Sequence, residues 1–306
     1  MEANILPYSN EYHNDIKLLD DKSVQGNLIQ LRMHKPTIHS RAEIFKEYFT
    51  ILTKVKDEVV GFMSGAKTLL VINDKKHDVF IGFDAKVRED HRNRGIFKSM
   101  TTYMMDYYSE QDVMNAIITT KSNNKSINSM VRKQFVKSWY RKFVYLTIPT
   151  SRKVNAIRSG KEPSLFIDSF EDKKRQDLAY SRYFKGFDIF NTYKTYQLEI
   201  LQIPYLLKKG IQLVNKFYSK PRYPDGSKSM KIATLYKVMD LELKELNIAM
   251  EILHSEGIDF LNICCSEGDY LYNTFKPISI SRYDYYLVST LKLTEQDQIK
   301  LDVRCL

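Results

Sequence analysis

Between Asp78 and Met100 an apolar run gives way to a basic turn, Arg92, Asn93, Arg94, Gly95, Ile96 and Phe97, and apolar residues then recur at helical spacing. A turn of this kind can hold phosphate. Gly95 permits tight backbone geometry, the first amides of a helix point outward, and Arg92 and Arg94 add positive charge. An ordinary basic loop capping a helix has the same composition, and two fixed positions in six recur often by chance. The surrounding elements therefore decide between the readings.

Upstream, the stretch from Phe49 to Ile72 reads as two strands joined by a polar turn at Lys56, Asp57 and Glu58. A second turn at Asn73 to Lys76 leads into a strand ending near Val87, which makes an antiparallel meander ahead of the basic turn. Downstream, Ile96, Met100, Tyr103, Met104 and Tyr107 have helical spacing, so a helix is expected from about Arg94 to Glu110. Ala116 to Thr120 supplies a further short apolar strand.

This order of elements and the pattern Arg-x-x-Gly-x resemble the Gcn5-related N-acetyltransferase superfamily, which holds the pyrophosphate of acetyl-coenzyme A at such a turn. The nearest likeness is to the plant Hookless group of N-acetyltransferases. It is carried by Val59 to Thr68, Val87 to Ile96, Thr120 to Ile127, and Tyr140 to Phe143 followed by Ile148 and Pro149. The resemblance implies an α/β (α+β) fold with a mixed, mostly antiparallel sheet flanked by helices. It covers the first half of the chain well and the second in outline. Phe97 departs from it, standing where a small residue is usual, and Met130 stands where many members carry the tyrosine that protonates the leaving thiolate.

What the resemblance implies for chemistry is acetyl transfer from acetyl-coenzyme A to an amine, by direct attack within a ternary complex and without a metal. Backbone amides of Ala85, Lys86 and Val87 would bind the pantetheine arm, and Arg92 to Phe97 the pyrophosphate. Asn124 and Asn128, with Ser126 between them, stand where the family touches the coenzyme arm, although capping of a helix explains Asn124 equally well. Asp84 is the carboxylate nominated as base, with solvation or the capping of a turn as its structural alternatives. Tyr140 is the nearest downstream phenol for the general acid, ahead of Tyr107 and Tyr108. Glu89 and Asp90 belong to the loop, and His91 is either a neighbour of the phosphates or a surface histidine. Two other classes stay open: a protein that kept the fold but lost catalysis, and an acyltransferase using a longer acyl-coenzyme A.

Composition bounds the rest. The 306 residues suffice for one large or two ordinary domains, and the 43% hydrophobic and 27% charged content is that of a soluble globular chain. No apolar stretch reaches the roughly 18 to 20 residues of a membrane helix, and no secretory leader is read at the start, so the cytosol or nucleus is expected, with no membrane partner. Cys264, Cys265 and Cys305 are too few for a disulfide framework and have no zinc spacing. The formal net charge of +10 favours anionic ligands, but the basic residues are dispersed and not interleaved with aromatics, so nucleic acid is not expected as a partner. A small-molecule amine or a peptide or protein amine is expected as acceptor.

The expected organisation is a coenzyme-binding catalytic domain over 1–150, a linker over 151–163 and a degenerate acetyltransferase-like helper domain over 164–306. Within the first, residues up to about 27 read as loop and short strand, 42–48 as a brief helix and 126–137 as a helix. Within the second, helical spacing covers 170–184 and 205–218, and 230–239 reads as a strand. Asp240 is the expected N-cap of a helix carrying Leu243, Leu246, Met250 and Leu253, and strands follow at 258–264 and 283–293.

Overall fold

The structure, a computed structural model, describes residues 3–26, 28–124, 137–162, 165–166, 181–217 and 223–301. In chain order the elements begin with β1 (Ala3–Pro7), α1 (His13–Asp21), β2 (Gln30–His34), β3 (Tyr48–Val55), β4 (Glu58–Ile72), β5 (Lys75–Val87) and α2 (Ile96–Ser109). They continue with β6 (Asn115–Lys121), β7 (Trp139–Pro149), β8 (Leu165–Phe166), β9 (Ser181–Phe184), β10 (Phe187–Phe190), β11 (Gln197–Gln202) and α3 (Tyr205–Phe217). The last are β12 (Ile232–Val238), α4 (Leu243–Ser255), β13 (Phe260–Cys265), α5 (Tyr270–Phe275), β14 (Ser281–Ser289) and β15 (Ile299–Leu301).

These elements form two compact units that are not contiguous in sequence. One comprises Met1–Ser23, Thr37–Arg141 and Tyr286–Asp297, the other Val24–Pro36, Lys142–Tyr285 and Gln298–Leu306. The chain passes between them inside β7 and inside β14, so neither unit coincides with the expected blocks 1–150 and 164–306.

In the first unit the strand order is β1-β3-β4-β5-β6, antiparallel except for the parallel pair β5 and β6. Alternate side chains of a strand point to opposite faces, and both faces of this sheet are covered. Ile51, Met63 and Phe80 join Ile96, Met100, Met104 and Tyr108 of α2 in one core, while Leu52, Val59 and Phe62 join Ile16 and Leu19 of α1 in another. That double burial is why β4 reads as a nearly continuous apolar run. Helix α1 departs from the expected loop: its inward stripe is short, with Ile16, Leu19 and Asp20 as its buried positions. The brief helix expected over 42–48 is instead a series of turns closed by Thr37 and Ser40, whose side chains bond to local backbone and to each other in competition with a helix.

In the second unit the order is β7-β13-β12-β10-β9, again antiparallel but for one parallel pair, β12 and β13, joined through α4. Leu246, Ala249, Met250 and Leu253 of α4 lie against Ala233, Leu235, Leu261 and Ile263. Strand, helix, parallel strand thus occurs once in each unit, as β5-α2-β6 and β12-α4-β13. A separate ribbon pairs β2 with β11, and β8 pairs β15 in parallel.

Three expectations for this half are corrected. Residues 181–184 form strand β9, paired with β10 across the turn at Gly186, and not the end of a helix; residues 167–180 lie outside the described chain. The N-cap of α4 is Glu242, because the Asp240 amide is bonded to the Gly186 carbonyl at 2.9 Å. The expected linker is irregular but seated: Val154 is buried in the core and exchanges two 2.9 Å bonds with the Asn247 amide, and Arg152 donates to the Ile278 carbonyl.

Candidate functional site

The site is organised by a parting of two strands. The parallel register of β5 and β6 runs from Val79 with Asn115 to Gly82 with Ile118, while β5 continues to Val87 and β6 to Lys121. A Cβ on Gly82 would lie 2.5 Å from the Met63 Cε and 3.3 Å from the Ile118 Cγ2, so the last paired position accepts Met63 only because it is glycine. Beyond it, the β4–β5 register passes from Ser64 with Phe83 to Phe62 with Lys86, leaving Asp84 and Ala85 opposite the single residue Met63. This is a β-bulge, and Asp84 adopts the left-handed conformation with φ of 52°. A bulge breaks the ladder and redirects main-chain amides, here on the edge that β6 has left.

The bulge is pinned from outside the sheet. Arg41 donates from Nη1 to Asp84 Oδ1 at 2.7 Å, and the two side chains are 14% and 4% exposed. Arg41 lies just before the span expected as a helix, in the turns that start at Thr37, and nothing in the sequence marks it. The next residue but one, Lys86, is ion-paired with Asp20 of α1. Sequence reasoning assigned Ala85, Lys86 and Val87 to the coenzyme arm through their backbone. Ala85 is exposed, Lys86 is half-buried, and Val87 packs against the core under α2.

The turn follows directly. Asn93 and Gly95 both have positive φ, 63° and 82°, and a Cβ on Gly95 would meet open space. Residues 92–95 are exposed, whereas Ile96 is buried and Phe97 packs beside it on the core, so the sheet side of the helix start accommodates the large residue. Among the described residues the amides of Gly95, Ile96 and Phe97 donate to no backbone carbonyl, as the first turn of a helix requires. Arg92 donates from Nε to the Val87 carbonyl at 3.2 Å, which fixes the stem of the turn.

His91 is the buried member of this loop. Arg88 reaches Asp90 and Glu58 and places Nη2 2.8 Å from His91 Nε2. A guanidinium can only donate, so Nε2 is the accepting atom of that contact, and Nδ1 is buried without a hydrogen-bond partner among the described residues. The surface reading of His91 is therefore wrong, and the histidine is part of the loop's frame. Glu89 and Asp90 are exposed, as expected.

Of the remaining candidates, Tyr140 is exposed at the start of β7 and stacks edge-on with Tyr286 at 5.4 Å. Tyr108 is in the core, where burial raises its pKa, which disfavours it as a proton shuttle. Asn124 is exposed in the turn after β6; Ser126, Asn128 and Met130 lie outside the described residues. Lys121 went unnoticed in the sequence. It ends β6 three residues past the last pair with β5, and burial lowers its pKa, disfavouring the charged form. Its position one residue past the apolar strand expected at Ala116 to Thr120 is the signal the sequence offers. Cys264 and Cys265 are buried in β13, and burial pushes both thiols up, away from the nucleophilic thiolate. Among the described residues no cluster of His, Cys, Asp and Glu could hold a metal.

No family model matches the chain, and no curated protein does. Solved structures do. Saccharomyces cerevisiae N-myristoyltransferase with bound myristoyl-CoA superposes with a TM-score of 0.60 at 11% identity, over 98% of this chain and 84% of that one. A second structure of that enzyme gives 0.58 at 10% identity over 98% and 80%. The Gcn5-related glucosamine N-acetyltransferase region of a fungal multi-domain β-N-acetylglucosaminidase gives 0.51 at 10% identity, over 94% of this chain and 38% of that one. This chain has the fold of the Gcn5-related N-acetyltransferases. At such identities the likeness is one of fold, and with the N-myristoyltransferase it spans nearly the whole of this chain. The narrower likeness to the plant Hookless group finds no support among these structures.

Proposed function

We propose that the chain is an acyl-coenzyme A dependent N-acyltransferase whose site lies in the first unit. The single observation that carries this reading is the continuity of three features along one strand and its sequel: β5 parts from β6 after Gly82, bulges at Asp84 and Ala85, and runs into the exposed Gly95 turn, whose first helical amides donate to no backbone carbonyl among the described residues. Those amides and the Arg92 and Arg94 guanidinium groups fit a diphosphate, and the parted strand edge fits an amide-bearing arm.

In this reading the acceptor amine attacks the thioester carbonyl carbon, a C–N bond replaces the C–S bond, and the thiolate leaves with a proton. The pair with Arg41 gives Asp84 a positioning role, holding the bulge whose amides face the reacting carbonyl. Tyr140 is the proposed proton donor to the thiolate. The acyl group is acetyl in the simplest form of the reading. A longer acyl chain is the second form, favoured by the near-complete superposition on N-myristoyltransferase.

Thermal denaturation with coenzyme A, acetyl-coenzyme A and myristoyl-coenzyme A tests both forms. Stabilisation by all three, followed by thiol release with one acyl donor and an amine or peptide acceptor, is the expected result. No stabilisation by any of them sinks the proposal; stabilisation without thiol release across amines, amino acids and peptides identifies a binding protein with this fold.

A further inference from the structure

Helix α3 is turned inside out relative to an ordinary surface helix. None of its thirteen residues is buried. Leu206, Leu213 and Phe217, which share one face at spacings of seven and four, are 82%, 58% and 75% exposed, and Leu207 and Val214 extend the same stripe into solvent. The opposite side is polar or half-buried: the Asn215 side chain exchanges two 2.8 Å bonds with the Tyr223 backbone, and Gln212 and Asn215 line a cavity of about 360 Å³ that Lys216 edges. A surface helix normally buries its apolar stripe, so this one is oriented to meet something apolar outside the unit.

Charge states what that is. Between Gln202 and Arg222 the sequence has Lys208, Lys209, Lys216, Lys220 and Arg222 and no acidic residue. Lys209 and Lys216, seven apart, edge the apolar stripe, and Lys209 sits over the Tyr205 ring at 5.6 Å, where an aromatic and a cation share one end of the helix. A second copy docking through this face would set the bordering Lys209 and Lys216 of one copy against those of the other in an isologous contact. An anionic bilayer surface accepts both the bulky apolar stripe and its lysine border, and a protruding ridge needs no complementary groove there. At 13 residues the helix is about 20 Å long, less than the roughly 30 Å of a hydrocarbon core, so it would lie in the interface and not cross it.

We propose that α3 is an interfacial anchor that docks the protein on negatively charged lipid membranes. This departs from the expected absence of a membrane partner, which rests on spanning segments and leaders; among the described residues no helix is long and apolar enough to cross. The proposal stands independently of the acyltransferase reading.

Co-sedimentation of the full chain with phosphatidylcholine vesicles, with and without phosphatidylserine, tests it. Binding is expected only with phosphatidylserine and should weaken as salt rises. Lys209→Ala with Lys216→Ala should lower the partition coefficient about 25-fold, at about fivefold per lysine, and Leu213→Glu with Phe217→Glu should abolish binding. All four side chains are exposed, and an unchanged thermal midpoint confirms folding. Failure to bind phosphatidylserine vesicles at low salt overturns the proposal, as does undiminished binding by the Leu213 and Phe217 variant. A wild-type dimer that the same variant converts to monomer, without vesicle binding, assigns the face to self-association instead and equally overturns it.

Discussion

The Asp84 carboxylate, on a residue with left-handed backbone, lies 2.7 Å from the Arg41 guanidinium in a setting where both side chains are largely shielded from water. The pair fastens the bulge of β5 to a segment 43 positions earlier in the chain. Removing Arg41 takes one charge-assisted hydrogen bond from a shielded carboxylate, so Arg41→Ala should cost about 1.5 to 3 kcal/mol, read as a lowered urea midpoint. Asp84→Asn should cost less, since asparagine tolerates a positive φ. For a positioning role, Asp84→Asn lowers turnover without changing the shape of the pH–rate profile. Loss of the profile's acidic limb would instead restore the base role first expected for Asp84.

Gly95 separates stability from coenzyme binding. Its φ of 82° opposes any side chain, but the space around it is open, so Gly95→Ala should cost about 1 kcal/mol from backbone strain alone. Gly95→Pro removes an amide and fixes φ near the opposite sign. The proline variant should therefore lose the thermal shift with coenzyme A, while the alanine variant keeps most of it.

Acid sensitivity should be traceable to the β2–β11 ribbon. Glu199 accepts from Arg32 Nη2 at 2.6 Å and Nε at 3.0 Å, and this bonding holds its carboxyl below the usual glutamate value of 4.5. As pH falls, the unfolded chain protonates first. The stabilisation is thus full above the unfolded value and is lost as pH drops through the folded one. Glu199→Gln should cost roughly 0.5 to 1 kcal/mol at neutral pH, and its difference in melting temperature from the parent should shrink toward acid.

The buried thiols offer a control on mechanism. With Cys264 and Cys265 held protonated in β13, Cys264→Ser with Cys265→Ser should leave turnover within about threefold, measured below a lowered melting temperature, since burying hydroxyls costs on the order of 1 to 3 kcal/mol. Loss of turnover in a folded double variant would revive covalent catalysis.

What the sequence determined was local. The meander of β3, β4 and β5, the Gly95 turn and α2 were legible because turn residues, strand runs and a 3.6-residue period are written within a few positions of one another. The same holds for β12, α4 and β13, with boundaries displaced by two residues or so. What only the tertiary structure decided were relationships between distant segments. A bulge is a mismatch of two registers, so Asp84 and Ala85 carry no mark of it until β4 is laid beside β5. Arg41 acquires its role only when residues 37–47 fold as turns against Asp84, and β9 exists only because β10 offers it a ladder. His91 and Lys121 look like ordinary surface residues until packing withdraws them from water. Conversely, α3 has the apolar period of a core helix, and only its placement shows that stripe facing out. Periodicity fixes which side of a helix is apolar; the rest of the chain fixes which way that side points.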